Sequence, residues 1–244
     1  MPFRFLRLAR LGTGAAALLL ALVPASSVVH PTPTRTSVAS GGVVARELTP
    51  AAAARARASV RKQLEMRGQG TYIGEMLAER DSALARWPDM HGAPLNIWIQ
   101  PVSDVAEWRP AYATGVRDAF IAWDALHLPV RFAFTADSAS ADVHVSFIDH
   151  FEEPISGRTK WARDDDWWII DADITLAVHH RSGHTLDDEA MKAMALHEIG
   201  HLLGLDHTED PTSIMAPRVR VRSLSAADQA TVRLLYTLPP GGVR

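Results

Sequence analysis

Apolar and polar residues alternate in some stretches of this chain and recur at helical spacing in others, and the two periods divide it into elements. Leu95-Asn96-Ile97-Trp98-Ile99 has period two and predicts a strand that Pro101 helps to close. Residues 130–134 predict a second strand. Residues 141–147 (ADVHVSF) predict a third, with Val143, Val145 and Phe147 on one face and Asp142, His144 and Ser146 on the other. Ile170, Ala172, Ile174, Leu176 and Val178 predict a longer strand against Asp171, Asp173 and Thr175. Between 148 and 167 the chain is polar and irregular.

Helical spacing marks the other elements. Pro110 suits a first helical turn, and Tyr112, Val116, Phe120, Trp123 and Leu126 follow as one apolar stripe of core residues. Ile73, Met76, Leu77, Leu84 and Trp87 predict an amphipathic helix ending near Pro88, and residues 51–66 a basic helix with a thin apolar face. Residues 186–203 predict a helix with Thr185 as N-cap and Asp187, Asp188 and Glu189 in its first turn, where the helix dipole favours negative charge. Leu224 and the N-cap Ser225 open a last helix whose Val232, Leu235 and Tyr236 turn inward before Pro239-Pro240 stops it. From residue 95 on, the order β, α, β, β, β, α, α predicts an α+β domain: a sheet backed by two helices.

Composition adds limits. At 244 residues, 47% hydrophobic and 22% charged, the chain holds one domain of ordinary size plus accessory segments. A net charge of −3 gives no reason to expect nucleic acid as a partner, and the absence of cysteine excludes disulfides, thiolate metal ligands and a thiol nucleophile. Residues 1–25 have the form of an export signal: Arg4, Arg7 and Arg10, then the uncharged run 11–23, then Val23-Pro24-Ala25 as a cleavage site before Ser26. The run is shorter than the roughly 20 residues of a bilayer span, so cleavage is expected, and a membrane role only if the segment stays uncleaved. Residues 26–50 read as a Pro/Thr/Ser-rich linker. Residues 51–92 read as a helical extension, either a propeptide or lid over a cleft or a supporting helix.

The candidate chemistry lies in residues 195–207, ALHEIGHLLGLDH. His197 and His201 are four apart, so on a helix they project from one face and can share a metal ion, while Glu198 lies beside any water that ion holds. Gly204 permits a sharp turn that can bring His207 back to the same ion. Three imidazoles leave a tetrahedral zinc one open position, as a catalytic site requires. The competing reading is a buried amphipathic helix of Met194, Ile199, Leu202, Leu203 and Leu205 whose histidines are incidental, and it is compatible with metal binding. Asp164-Asp165-Asp166 lacks the alternating oxygens of a calcium loop and reads as a solvated turn. His144, His150, His179, His180 and His184 match no defined metal spacing and read as loop histidines.

The full motif HEIGHLLGLDH at 197–207, Thr208 after it, Ser213-Ile214-Met215-Ala216-Pro217 and LSAADQATVRLLY at 224–236 together resemble the metzincin metallopeptidases, in particular their matrixin-like branch. The resemblance covers roughly residues 93 to 238, leaving 239–244 as a tail. It implies a metzincin fold: a twisted, mostly parallel sheet of about five strands, two long helices, and a C-terminal helix after a Met-turn. By the same resemblance His197, His201 and His207 are zinc ligands, Glu198 is the general base, and Met215 forms a hydrophobic floor without binding the metal. The stretch from Gly157 to Trp161 becomes a cleft-lining edge strand on which substrate adds, with Pro217 a further substrate-cleft candidate. One catalytic Zn²⁺ is the implied cofactor, with no structural Ca²⁺ or second Zn²⁺ expected. The implied protein is a secreted or periplasmic monomeric endopeptidase acting on proteins or peptides. Two rival readings are a non-catalytic zinc-stabilised module, which has no use for Glu198, and an envelope-anchored binding protein. Three departures from the family stand out: no propeptide cysteine, a shortened insert where animal matrixins carry structural metals, and Ala216 where a Tyr is frequent.

Overall fold

The structure, a computed structural model, describes residues 50–80, 82–89 and 93–242; the expected export signal and residues 26–49 of the linker lie outside the described residues. Helices α1 (Pro50–Arg67) and α2 (Ile73–Glu79) and a short strand β1 (Ala83–Leu84) precede β2 (Leu95–Ile99), α3 (Pro110–Asp124), β3 (Phe132–Thr135) and β4 (Val143–Ile148). Then come β5 (Gly157–Arg163), β6 (Ile169–Ala177), α4 (Asp188–Leu202), α5 (Ala226–Leu235) and β7 (Gly241–Gly242).

Five strands form one sheet in the order β3-β2-β4-β6-β5. The pairs β2–β3, β2–β4 and β4–β6 are parallel; β5 alone runs antiparallel, to β6, and lies at the edge. The parallel β2–β3 pair needs a crossover, which α3 supplies. In β2 and β4 every second residue is buried, so one face of the sheet is covered, and α3 and α4 cover it. The stripe Tyr112, Val116, Phe120 and Trp123 of α3 is at most 1% exposed, and Trp123 Nε1 donates to the Leu196 carbonyl of α4 at 3.0 Å.

Several expectations are corrected. The polar stretch 148–167, irregular by its own residues, contains β5 where the resemblance implies an edge strand; it shows no apolar period because an edge strand is partly open to solvent. Asp164 closes the β5–β6 hairpin, accepting from the backbone N–H of Asp166 and Trp168 at 3.0 and 2.9 Å. A bulge pairs Ala162 with Asp171 but Arg163 with Ile169, so Ile169 is fully buried and Ile170, expected inside, is 58% exposed. The N-cap of α4 is Asp187, whose Oδ1 accepts from Ala190 N at 2.6 Å, while the Thr185 hydroxyl donates to Glu107. The helix predicted through Trp87 stops at Glu79. Ser82 takes a positive φ of 64°, and Leu84 and Trp87 reach the core from extended chain.

The segment 72–89 packs into the same core as the rest: Ile73, Met76, Leu84 and Trp87 share one cluster with Leu202 and Leu235. Tyr72 N donates to Thr231 Oγ1 at 3.1 Å, Arg86 Nε to the Leu238 carbonyl at 2.9 Å and Trp87 Nε1 to the Leu202 carbonyl at 2.9 Å. Ala83–Leu84 pairs with Gly241–Gly242 in a two-stranded ribbon.

Candidate metal centre

Helix α4 presents His197 and His201 one turn apart, and the chain leaves its end through Gly204, at φ +98°. Glycine is required there twice over: the backbone lies in the left-handed region, and a Cβ would stand 2.1 Å from the Ala85 carbonyl oxygen. That turn returns His207 to the other two. The three Nε2 atoms lie 3.2, 3.2 and 3.3 Å apart, and among the described residues these side chains form the group able to hold a metal ion. Four nitrogens at about 2.0–2.1 Å from a zinc ion stand about 3.3–3.4 Å from one another in a tetrahedron, so the spacing fits that ion.

Tautomers follow from the partners. His197 Nδ1 is 2.7 Å from the Ile214 carbonyl oxygen and His201 Nδ1 3.0 Å from that of Leu205. A carbonyl only accepts, so each Nδ1 carries the proton and each Nε2 keeps its lone pair for a metal. Burial holds both rings neutral, pushing His197 down to about 4 and His201 well below the usual histidine value.

Glu198 is 3% exposed, and burial pushes its carboxyl up to about 7, against the opposing effect of its hydrogen bond from Thr159. The Thr159 hydroxyl, on β5, lies 2.6 Å from Glu198 Oε2 and 2.9 Å from the Glu198 carbonyl. A Cβ at Gly157 would stand 2.4 Å from Glu198 Oε1, so only glycine lets β5 pass this close. Gly157, Trp161 and Pro217 all line one cleft of about 720 Å³ together with His197, Glu198 and His207.

Met215 is fully buried against helix α4, where a Cβ at Gly200 would stand 2.2 Å from its Sδ. The turn carrying it hangs from Asp228, which is fully buried and belongs to the capping box of α5. Asp228 accepts from Ser213 Oγ, from Ile214 N at 3.1 Å, from Ser225 N at 2.7 Å and from Tyr72 OH at 3.3 Å. The carboxylate thus fixes Ile214, whose carbonyl orients His197. Sequence reading missed this role, as it missed Thr159 and Gly200. Only the Ser225-x-x-Asp228 spacing signalled part of it.

Among the described residues, the other histidines considered as a second site form no metal-binding group. His150 and His179 both bond Asp149 (2.7 and 2.6 Å), His180 bonds Ser156, His184 bonds Ser182 and His144 bonds the Ser138 carbonyl.

The family model for matrixins, peptidase family M10, matches residues 102–237, more than half of the chain. The chain belongs to the matrixin family. A matrixin domain has the metzincin fold, and the mixed sheet with α3 and α4 against it is that fold here. The chain is 29% identical over 144 residues to Metalloendoproteinase 1-MMP of Arabidopsis thaliana, covering 50% of this chain and 37% of that protein. It is 28% identical over 141 residues to Metalloendoproteinase 1 of Glycine max (55% and 44%), and 37% identical over 87 residues to Matrix metalloproteinase-16 of Homo sapiens (34% and 12%). This matrixin chain therefore spans less than half the length of these relatives. The family implies zinc, which suits the nitrogen donor set of His197, His201 and His207. The family match begins at residue 102, so the segment 72–89 lies outside it.

Proposed function

We propose that this matrixin is an exported zinc endopeptidase that hydrolyses peptide bonds with Glu198 as general base and His197, His201 and His207 as the metal ligands. The observation that carries the reading is the convergence of the Nε2 atoms of His197, His201 and His207 beside the buried carboxylate of Glu198, which shares helix α4 with the first two. Zinc bound there supplies a Lewis acid that lowers the pKa of a water toward about 7 and polarises the scissile carbonyl. Glu198 takes the proton of that water and returns it to the leaving amine. Thr159 holds Glu198 Oε2, so the carboxylate keeps one orientation through both transfers. No side chain becomes covalently attached to substrate.

Substrate binds as an extended strand on the free edge of β5, in the cleft that Gly157, Trp161 and Pro217 line together with the metal ligands. Met215 serves as an apolar floor. We assign export to the segment 1–25. The segment 72–89 stays with the catalytic domain after export, because its removal would strip the Leu202 and Leu238 carbonyls of their donors and open the core at Met76 and Leu84. Incubation with a peptide library, with and without a zinc chelator, tests the reaction class: cleavage abolished by the chelator and restored by zinc is expected, and cleavage indifferent to it refutes the reading. Sequencing of the mature N-terminus tests the fate of the segment: a start at Ser26 is expected, and a start near residue 90 contradicts it.

A further inference from the structure

The turn that carries the chain from His201 to His207 is braced from outside the stretch that matches the matrixin family. A helix end leaves its last carbonyls without helical partners, and a cation beside them is favoured by the helix dipole. At the end of α4, Trp87 Nε1 donates to the Leu202 carbonyl at 2.9 Å and Arg80 Nη1 to the Gly204 carbonyl at 3.0 Å. Arg80 Nη2 stands 3.5 Å from the Leu205 carbonyl oxygen, the same atom that accepts from His201 Nδ1. Arg80 Nε forms an ion pair with Asp206, the residue before His207; the two side chains are only 15% and 17% exposed. The guanidinium also lies 5.3 Å from the centroid of the Trp161 ring, on the edge strand across the cleft. One side chain from the N-terminal segment therefore holds three successive residues of the ligand turn and the wall facing them.

We propose that Arg80 is a positioning residue of the metal centre. It fixes the Gly204–Leu205–Asp206 backbone so that His207 completes the triad and the Leu205 carbonyl keeps His201 in its ligating tautomer. The proposal rests on the zinc reading above. It predicts that the segment ahead of the family-matched domain contributes to metal affinity, and that lysine is a poor substitute. Lysine retains a charge for Asp206 but lacks the planar fork that reaches Asp206 and the carbonyls at once.

The test uses the full chain with Arg80→Ala and Arg80→Lys. Three quantities are measured: the zinc dissociation constant by chelator competition, the visible absorption of the cobalt(II)-substituted protein, and the melting temperature of the metal-free protein. Loss of an outer partner of a ligand typically weakens metal binding about 10- to 100-fold, and that loss is expected for Arg80→Ala, with an altered cobalt spectrum. Arg80→Lys, which keeps the charge and most of the stem, is expected to fold and to lose roughly three- to tenfold in affinity. It therefore keeps the test open if the alanine variant does not fold. Variants whose zinc affinity stays within twofold of wild type, with an unchanged cobalt spectrum, overturn the proposal even if their melting temperatures fall, since that is the signature of a purely structural arginine. A wild-type chain that binds no zinc would overturn both this proposal and the metal-centre reading, whereas one that binds zinc beside unchanged variants overturns only the role of Arg80.

Discussion

Below the cleft, His197, Glu198, Ile214 and Met215 are at most 5% exposed, and His197 Nδ1, Glu198 Oε2 and Ile214 N each bond a residue outside their own element. Above it, β5 leaves Lys160, Ala162 and Arg163 in solvent and is tied to the floor by Thr159, while Trp161 meets Arg80. The floor is over-determined: moving Ile214 disturbs Asp228, Ser213 and His197 together. The rim is paired to β6 along one backbone edge and leaves the other edge free. The proposed hydrolysis would need this division, because reacting groups must stay within a fraction of an ångström while a surface that takes up an extended peptide must expose unpaired strand.

The comparison can be broken most sharply at its centre. Glu198→Ala should retain zinc and lower kcat by roughly 10²–10⁴-fold, as removal of a general base does, measured as peptide turnover beside metal content. Next is the floor's anchor. Asp228→Ala strands the Ser213 hydroxyl and the Ile214 N–H in the interior and should cost about 3 kcal/mol in denaturant unfolding, with weaker zinc binding through His197. If stability fell but zinc affinity did not, the link from Asp228 to His197 would be absent. Gly157→Ala probes where rim meets floor. Its methyl would displace the Glu198 carboxylate and should reduce kcat by about 10²-fold, with a stability loss of about 1–3 kcal/mol from overpacking. The smallest effect lies away from the cleft: Asp187→Ala removes the N-cap of α4 and should cost about 1 kcal/mol without altering kcat/KM.

The two regions also differ in how much the sequence reveals. The helical part of the floor was legible because its residues obey fixed spacings. His197, His201 and Gly204 follow from helical geometry, and the alternation in β2 and β4 marks their buried faces. The rim was not, because an edge strand exposed to water carries no apolar period: GRTKWAR looked like loop, and only the family resemblance placed a strand there. The same limit explains the end of α2. Leu84 and Trp87 fall at helical spacing after Met76, yet both are buried from extended chain by contacts far along the sequence, such as Trp87 with Leu202. Asp228 was read as part of a helix start because its bonds to the Met-turn span 14 and 15 positions, beyond any local pattern.

The central claim is that hydrolysis requires one metal ion held by His197, His201 and His207. Stepwise addition of zinc to the metal-stripped full chain, with peptide cleavage followed at each step, tests it most directly. The account predicts no cleavage before zinc, a linear rise to one equivalent and no further gain, with His201→Ala inactive throughout. Cleavage by the metal-stripped chain, or full activity in His201→Ala, would contradict it.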